Sequence, residues 1–479
     1  MHMKKLGLLS CVGILLSLVA RSEVPDSVRA ALEEFQDRKL GFFMHWGLYS
    51  QIGSTESWPL SDADAHWARE DIEQDIARDD EAFKKSYYDL IRSFNPVRFR
   101  PGDWAQALKD GGFRYVILTT KHHDGFCLWD TAETDFKSTA QVCPYAKNAN
   151  ADIVRALFDA CRGKGLGTIA YFSQADFHHP DYWDNSGVGV KTSRGMTYDA
   201  KAHPERMDRF CAFVRRQMLE LARDYGPIDA FWIDGGWDHA CNAFDGANDS
   251  LRIGSIIDEV RKIQPGLISV HRGAGNDYEN VKTPEQEVPE KPLLEPWESC
   301  ITMADHWSYH YDDQYKSPRE IIRLVVNIVC KGGNLALGVG PMPDGRLPRP
   351  ALERIKVLGA WLKKHGEAIY ATRVQAPYAS RGQGQDLAYT RSKDGEHVYV
   401  IRLWPDAITK YTILGFNFKE LEKNIGRRVR SLRHLATDVR MQMLTVDGKK
   451  EWMLERKCYL PKEFVRDEYA DAFEVEFDG

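Results

Sequence analysis

The chain has 479 residues, 43% of them hydrophobic, and a formal net charge of −6. That length suits one large catalytic domain plus a smaller unit, with enough apolar residues for a full core. The mildly acidic balance gives no basis for nucleic-acid binding, and the one basic run, Gly426–His434 (GRRVRSLRH), reads as a solvated strand face. Its 13 Trp and 20 Tyr are a heavy aromatic load, suited to core packing and to carbohydrate clefts alike.

At the N-terminus, Lys4 and Lys5 precede an apolar run from Leu6 to Ala20, and Ala20-Arg21-Ser22 offers small residues before Glu23. This pattern predicts a signal peptide over residues 1–22 and export to the periplasm or exterior. The run is too short to span a bilayer. Eight of the nine cysteines follow it, none in a C-x-x-C pair, so they read as small buried residues.

A strand-then-helix rhythm follows. Leu40–His45 is a short apolar strand ending in His, and Asp103–Asp110 reads as helix. Tyr115–Thr120 is a strand releasing Lys121-His122-His123-Asp124-Gly125, and Ile153–Lys164 is helix. Leu166–Phe172 is a strand, Met207–Tyr225 a long amphipathic helix, and Ile228–Ile233 a strand that stops at Asp234 before two glycines. Leu251–Gln264 is helix, Leu267–Val270 a strand ending in His271-Arg272, Pro318–Cys330 helix, and Asn334–Gly340 strand. A last helix covers about Ala351–His365. The alternation predicts a parallel (β/α)8-like TIM barrel over residues 23–372, with the polar strand ends converging on one face. After Ala376 short strands at Leu387–Thr390, Val398–Leu403, Lys410–Leu414 and Glu451–Leu454 predict a C-terminal antiparallel β-sandwich over 373–479.

The strand ends carry the chemistry. Asp234 is either a carboxylate at the catalytic face of the barrel or the cap of the next helix. No phosphate-binding loop and no H-x-x-x-H helix is present. Adjacent histidines on extended backbone point to opposite sides, so His122-His123 and His178-His179 each offer at most one ligand easily. Neither a metal nor a cofactor is therefore expected. Acids and histidines without these features suit hydrolysis of a neutral polar ligand. Glycoside cleavage needs two carboxylates. Asp234 is one, and the acidic stretch Asp277–Glu290 or the Glu298 that follows Trp297 must supply the other. Trp46, Trp129, Trp232 and Trp237 are candidates for an apolar wall.

From about Phe35 to Arg373 the chain resembles the α-L-fucosidases of glycoside hydrolase family 29. The matching pieces are Lys39–Ser50 (KLGFFMHWGLYS), Lys121–Phe126 (KHHDGF), Tyr171–Ser173 (YFS), Phe231–Trp237 (FWIDGGW), Trp297–Cys300 (WESC), Gly332–Leu335 (GGNL) and Gly340–Gly345 (GPMPDG). The resemblance implies a retaining exo-mechanism on fucosylated glycans, with Asp234 as nucleophile. It implies sugar contacts from His45, His122, His123, Tyr171, Trp232 and Arg272, with Trp46 and Trp58 beside them. Glu285 is the preferred acid/base and Glu298 its competitor. Two departures stand out. Glu56-Ser57-Trp58 separates a Glu-Trp pair frequent in the family, which puts Glu56 in doubt as a sugar ligand. His306-Trp307-Ser308-Tyr309 replaces a Ser-Trp-Gly-Tyr. A related exo-glycosidase on another α-sugar, such as galactose, and a non-catalytic sugar-binding barrel are the alternatives.

Overall fold

A computed structural model describes residues 24–61, 63, 65–70, 72, 80–183, 193–236, 251–382, 385–407, 416, 418–445, 456–458 and 464–478. The predicted signal peptide, Trp237 and the strands expected at 410–414 and 451–454 lie outside them.

The first sheet holds β1 (Leu40–Met44), β2 (Tyr115–Lys121), β3 (Gly167–Ser173), β4 (Ala230–Asp234), β5 (Ile268–His271), β6 (Glu298–Thr302) and β7 (Asn334–Val339). Its order is β5-β4-β3-β2-β1-β7-β6, and every pairing is parallel. The helices are α1 (Asp26–Arg38), α2 (Asp80–Asp89), α3 (Pro101–Asp110), α4 (Ile153–Gly163), α5 (Pro204–Asp224), α6 (Ile253–Ile263), α7 (Pro318–Val329) and α8 (Arg349–His365). This is the expected TIM-like barrel. β6 has no counterpart in the sequence reading, because Glu-Ser-Cys-Ile-Thr lacks an apolar run.

Between the sheet edges β5 and β6 runs an irregular segment, 279–286. Asn280 N–H donates to Ser269 C=O on β5, while Glu298 N–H donates to Lys282 C=O and Gln286 N–H to Cys300 C=O. The segment thus takes the eighth place in the barrel. It is not a regular strand because Pro284 has no N–H to donate and Gln286 sits at φ +53°. Glu285 lies between those two residues, on the seam of the barrel.

Side chains alternate in and out along the strands. Phe43, Ile117, Tyr171, Ala230, Trp232, Val270, Cys300 and Ala336 fill the barrel interior, and Phe35 of α1 reaches Tyr115 at a ring distance of 5.3 Å, closing the N-terminal mouth. Phe42, Met44, Leu118, Phe172, Ile233 and Leu337 face outward onto the helices.

The second sheet is antiparallel: β8 (Thr372–Gly382), β9 (Gln385–Ser392), β10 (Val398–Leu403), β11 (Val429–His434), β12 (Arg440–Thr445), β13 (Arg456–Cys458) and β14 (Ala470–Phe477), in the order β13-β12-β11-β14-β10-β9-β8. Its two faces again alternate. Leu387, Tyr389, Val400 and Phe473 pack with Leu421 of the short helix α9 (Lys419–Ile425). Ala388, Tyr399, Ile401 and Ala472 pack toward the barrel, where Trp361 of α8 donates its indole N–H to Ala470 C=O. The basic run falls on β11, and Arg433 pairs across to Glu474 of β14 at 2.7 Å. Its charge is matched by a neighbouring acidic strand.

Candidate active site

The C-terminal ends of the barrel strands enclose a cavity of about 490 Å³. Register explains who is there. Ile233 pairs with His271 and Ser173 with Asp234, so Asp234 and Arg272 end adjacent strands at one level. Residues 230, 232 and 234 share the inward face of β4, and 270 and 272 that of β5. Asp234 is therefore not a helix cap: α6 begins after Arg252. The chain turns away at Gly235 with φ +84°, and a Cβ there would lie 3.1 Å from Ala175 N, so any other residue would be strained.

Asp234 Oδ2 accepts from the Tyr171 hydroxyl at 2.9 Å, and Oδ1 from Gly235 N–H at 2.8 Å. Arg272 Nη1 stands 3.7 Å from Oδ1, and its Nη2 binds Glu285. Burial pushes the Asp234 carboxyl up, but the Arg272 charge, the Gly235 N–H and the Tyr171 hydroxyl outweigh it and hold the pKa below the usual carboxylate value. The guanidinium also lies 5.7 Å over the Trp232 ring. Glu285 Oε1 accepts from Trp307 Nε1 at 3.2 Å.

His45, His122 and His123 all reach the cavity. For the last two this corrects the expectation that neighbours diverge. A register shift between Thr119 and Lys121 interrupts the alternation at the end of β2. Lys121 turns outward into a buried ion pair with Asp176 at 3.2 Å, and the two imidazoles that follow sit 4.0 Å apart. His122 Nδ1 bonds Ser57 Oγ, and His123 Nδ1 bonds Ser173 Oγ at 2.7 Å. Burial depresses all three histidines, His45 to about 3 and His123 to about 4. They are neutral near pH 7 and present hydrogen-bonding nitrogens without charge; among the described residues His45 Nδ1 has no hydrogen-bond partner.

Tyr171, Trp232 and Trp58 line the cavity as expected, with Trp58 edge-on to His123 at 5.2 Å. Trp46 does not. Residues 42, 44 and 46 share the outward side of β1, and Trp46 packs on Phe99 and Trp104 at 5.3 and 5.2 Å. Trp129 is also core, its indole N–H bonded to Glu220 at 3.3 Å. His178 stacks on Phe136 at 4.2 Å outside the cavity.

Glu298 is brought nowhere near the mouth. It opens β6, level with Asn334 at the start of β7, at the opposite end of the barrel. It is 1% exposed, accepts from the Tyr115 hydroxyl, and accepts from Trp232 Nε1 at 3.3 Å. Burial raises it to about 7. It holds the Trp232 indole from beneath while the ring faces the cavity. The competing acid/base assignment is corrected on this ground: a leaving oxygen in the cavity is out of its reach.

Glu56, Trp307 and Arg194 are among the lining residues that escape the sequence reading. Glu56, set aside there because Ser57 separates it from Trp58, lines the cavity; its Oε1 accepts from Ser308 N–H at 2.9 Å, and burial raises it to about 7. Trp307 packs 4.9 Å from the His45 ring, and Arg194 lies 4.9 Å over Trp58. The Trp in His306-Trp307-Ser308-Tyr309 was the available signal for Trp307; nothing in the local sequence marks Arg194. Among the described residues, one group of possible metal ligands, His365, His434 and Asp471, lies far from this site at the α8–sheet contact. There Ala472 N–H donates to His365 Nδ1 at 3.4 Å, which puts the ring proton on the Nε2 that faces Asp471.

The sequence model described as "Alpha-L-fucosidase" matches residues 21–367. The chain belongs to the α-L-fucosidase family. It is a glycoside hydrolase. It is 30% identical over 423 residues to the tissue α-L-fucosidase of Bos taurus, covering 82% of this chain and 81% of that one. It is 29% identical to the tissue α-L-fucosidase of Homo sapiens, covering 80% of each. Among solved structures, α-L-fucosidase isoenzyme 1 from Paenibacillus thiaminolyticus superposes with a TM-score of 0.74 at 27% identity, covering 95% of this chain and all of that one. Among the described residues no helix is long and apolar enough to cross a membrane.

Proposed function

We propose that the chain is a retaining exo-α-L-fucosidase that removes terminal α-L-fucose from fucosylated oligosaccharides and glycoconjugates by double displacement. Asp234 attacks the anomeric carbon as the bond to the aglycone breaks, and Glu285 gives the leaving oxygen its proton. A water then surrenders a proton to Glu285 and displaces Asp234, so the two inversions restore the α configuration. The observation that carries this reading is the single guanidinium between two carboxylates: Arg272 faces Asp234 at 3.7 Å and binds Glu285. It supports a charged nucleophile beside a second carboxyl group. The neutral histidines suit sugar hydroxyls, which both donate and accept.

Fucose carries a methyl group where galactose carries a hydroxymethyl. Phe43 packs 5.3 Å from Trp232 and 5.7 Å from Trp307, an apolar corner suited to that methyl. Parallel assays on aryl α-L-fucoside and aryl α-galactoside test sugar choice, with the fucoside expected to be cleaved far faster. Proton NMR of the first-formed sugar tests the mechanism: α-fucose is expected, and β-fucose as the initial product would remove Asp234 as nucleophile.

We also propose export by residues 1–22, on the support of Lys4, Lys5 and the apolar run to Ala20. N-terminal sequencing of protein from the native host should begin at Glu23; an intact Met1 would refute it.

A further inference from the structure

Glu285 sits where the barrel ladder is interrupted on both sides. In a parallel ladder each residue of one strand bonds the residues before and after its partner on the next. Glu285 is the partner of Cys300, and both bonds of that pairing are present. Cys300 N–H donates to Pro284 C=O at 3.0 Å, and Gln286 N–H to Cys300 C=O at 2.9 Å. Before them a rung is missing, because Pro284 has no N–H for the Glu298 carbonyl. After them the next rung would run from Thr302 N–H to the main-chain carbonyl of Gln286. Gln286 leaves strand geometry at φ +53°, and Thr302 N–H donates instead to its side-chain Oε1 at 3.3 Å. Gln286 Nε2 donates to Thr302 Oγ1 at 3.2 Å. The side-chain amide thus takes the place that a backbone carbonyl holds in a regular strand.

Thr302 is buried, so without this acceptor its N–H would be left unsatisfied away from water. It is also a fixed point. Met303 N–H donates to Gly338 C=O at 2.8 Å, and Lys316 Nζ donates to Thr302 C=O at 2.7 Å. A glycine at 286 would take φ +53° with less strain, but it would offer Thr302 no acceptor. Gln286 does not line the catalytic cavity. Its neighbour Glu285 does, and reaches Arg272 with one oxygen and Trp307 with the other, at 3.2 Å for the latter. Double displacement asks this carboxyl to stand in one place for two proton transfers, first to the leaving oxygen and then from water. The backbone that carries it is anchored on its far side by the Gln286–Thr302 clasp.

We propose that Gln286 is a positioning residue for the acid/base: its side chain completes the ladder to Thr302 and so fixes the backbone from which Glu285 transfers protons. The proposal rests on the fucosidase reading and on Glu285 as proton donor. Its test is the ratio of kcat/KM on a fucosyllactose, whose leaving group needs a proton, to kcat/KM on 4-nitrophenyl α-L-fucoside, whose leaving group needs little help. The fucosyllactose is whichever of the 2′- and 3-isomers the enzyme cleaves faster. Gln286→Met keeps the length of the side chain and removes the amide; it should lower the ratio about 5- to 30-fold, a part of what loss of the acid itself would cost. Gln286→Gly should lower it too, although the turn becomes easier to make. Thr302→Val, which keeps the N–H and removes the hydroxyl, should lower it less, and adding it to Gln286→Met should lower the ratio no further, because both act through one clasp. An unchanged ratio in Gln286→Met or in Gln286→Gly overturns the proposal, as does full additivity of the Gln286→Met and Thr302→Val losses. Failure of the acid assignment is read separately, as equal losses on both substrates in Glu285→Ala, and failure of the fucosidase reading in the unmodified enzyme.

Discussion

Arg272 stands 3.7 Å from the Asp234 carboxylate and holds it in the charged form that a nucleophile requires, against the burial that would neutralise it. The pairing is a consequence of register. Both residues are the next inward positions after a paired row, Ile233 with His271, so two strand ends 38 residues apart in sequence deliver opposite charges to one point. The same arginine binds Glu285, on the irregular segment that closes the barrel.

Asp234→Ala should abolish turnover on the order of 10⁴-fold or more, since no neighbouring group can replace an attacking carboxylate. Azide should restore part of the rate and yield β-fucosyl azide. Turnover near that of the unmodified enzyme would exclude Asp234 from the reaction.

Glu285→Ala should depend on the leaving group. Natural fucosides, with poor leaving groups, should slow by about 10²- to 10⁴-fold. Activated aryl fucosides should suffer much less, and azide should speed release from the covalent intermediate, because a small anion needs no general base. Equal losses on both substrates would contradict the acid/base role.

Glu298→Gln should keep the Trp232 and Tyr115 contacts, because an amide oxygen accepts from the indole and the tyrosine hydroxyl can accept from the amide. No leaving-group dependence is expected. The effect should appear in stability. The folded protein raises Glu298 from 4.5 to about 7, so between those pH values it binds more protons than the unfolded chain, and stability falls as pH rises. Removing the charge should stabilise the variant relative to the unmodified protein above pH 7 more than at pH 4.5. Melting curves at the two pH values check this, and a constant difference would argue against it.

The histidines bear on the acid side of the pH profile. With His45 depressed to about 3 and His123 to about 4, both stay neutral through the mildly acidic range. The folded state therefore binds fewer protons than the unfolded chain below 6.5, and stability is lost as pH falls from 6.5 toward those values. Direct titration by NMR should find neither ring charging between pH 5 and 8; a midpoint near 6.5 for either would show that burial does not control it.

Trp46→Ala should cost about 3–5 kcal/mol of stability through the cavity it leaves against Phe99 and Trp104, and should leave KM of the folded fraction unchanged. Urea unfolding and steady-state kinetics on one preparation separate the two. A raised KM with little loss of stability would return Trp46 to the sugar site.

Much of this protein is legible in its sequence because the information is local. An apolar run that stops at Asp234, Arg272 or His45 places each on a strand end, and parallel pairing brings strand ends together without further instruction. Period-two alternation separates Tyr171 from Phe172; the same rule divides His45 from Trp46, which the resemblance had nevertheless set together at the sugar site. What the sequence could not decide depends on contacts between distant segments. Glu298 and Glu285 are both acids near prolines, thirteen residues apart. Only the fold shows that the first opens β6 at the closed end of the barrel, while the second closes the seam beside Arg272. The shift that turns both His122 and His123 inward arises from pairing with β3, not from their own sequence. Glu56, Trp307 and Arg194 reach the cavity from long loops, whose course is set by what they pack against: Ser308 on Glu56, His45 on Trp307, Trp58 beneath Arg194. Strand chemistry is written in neighbouring residues; loop placement is an outcome of tertiary packing.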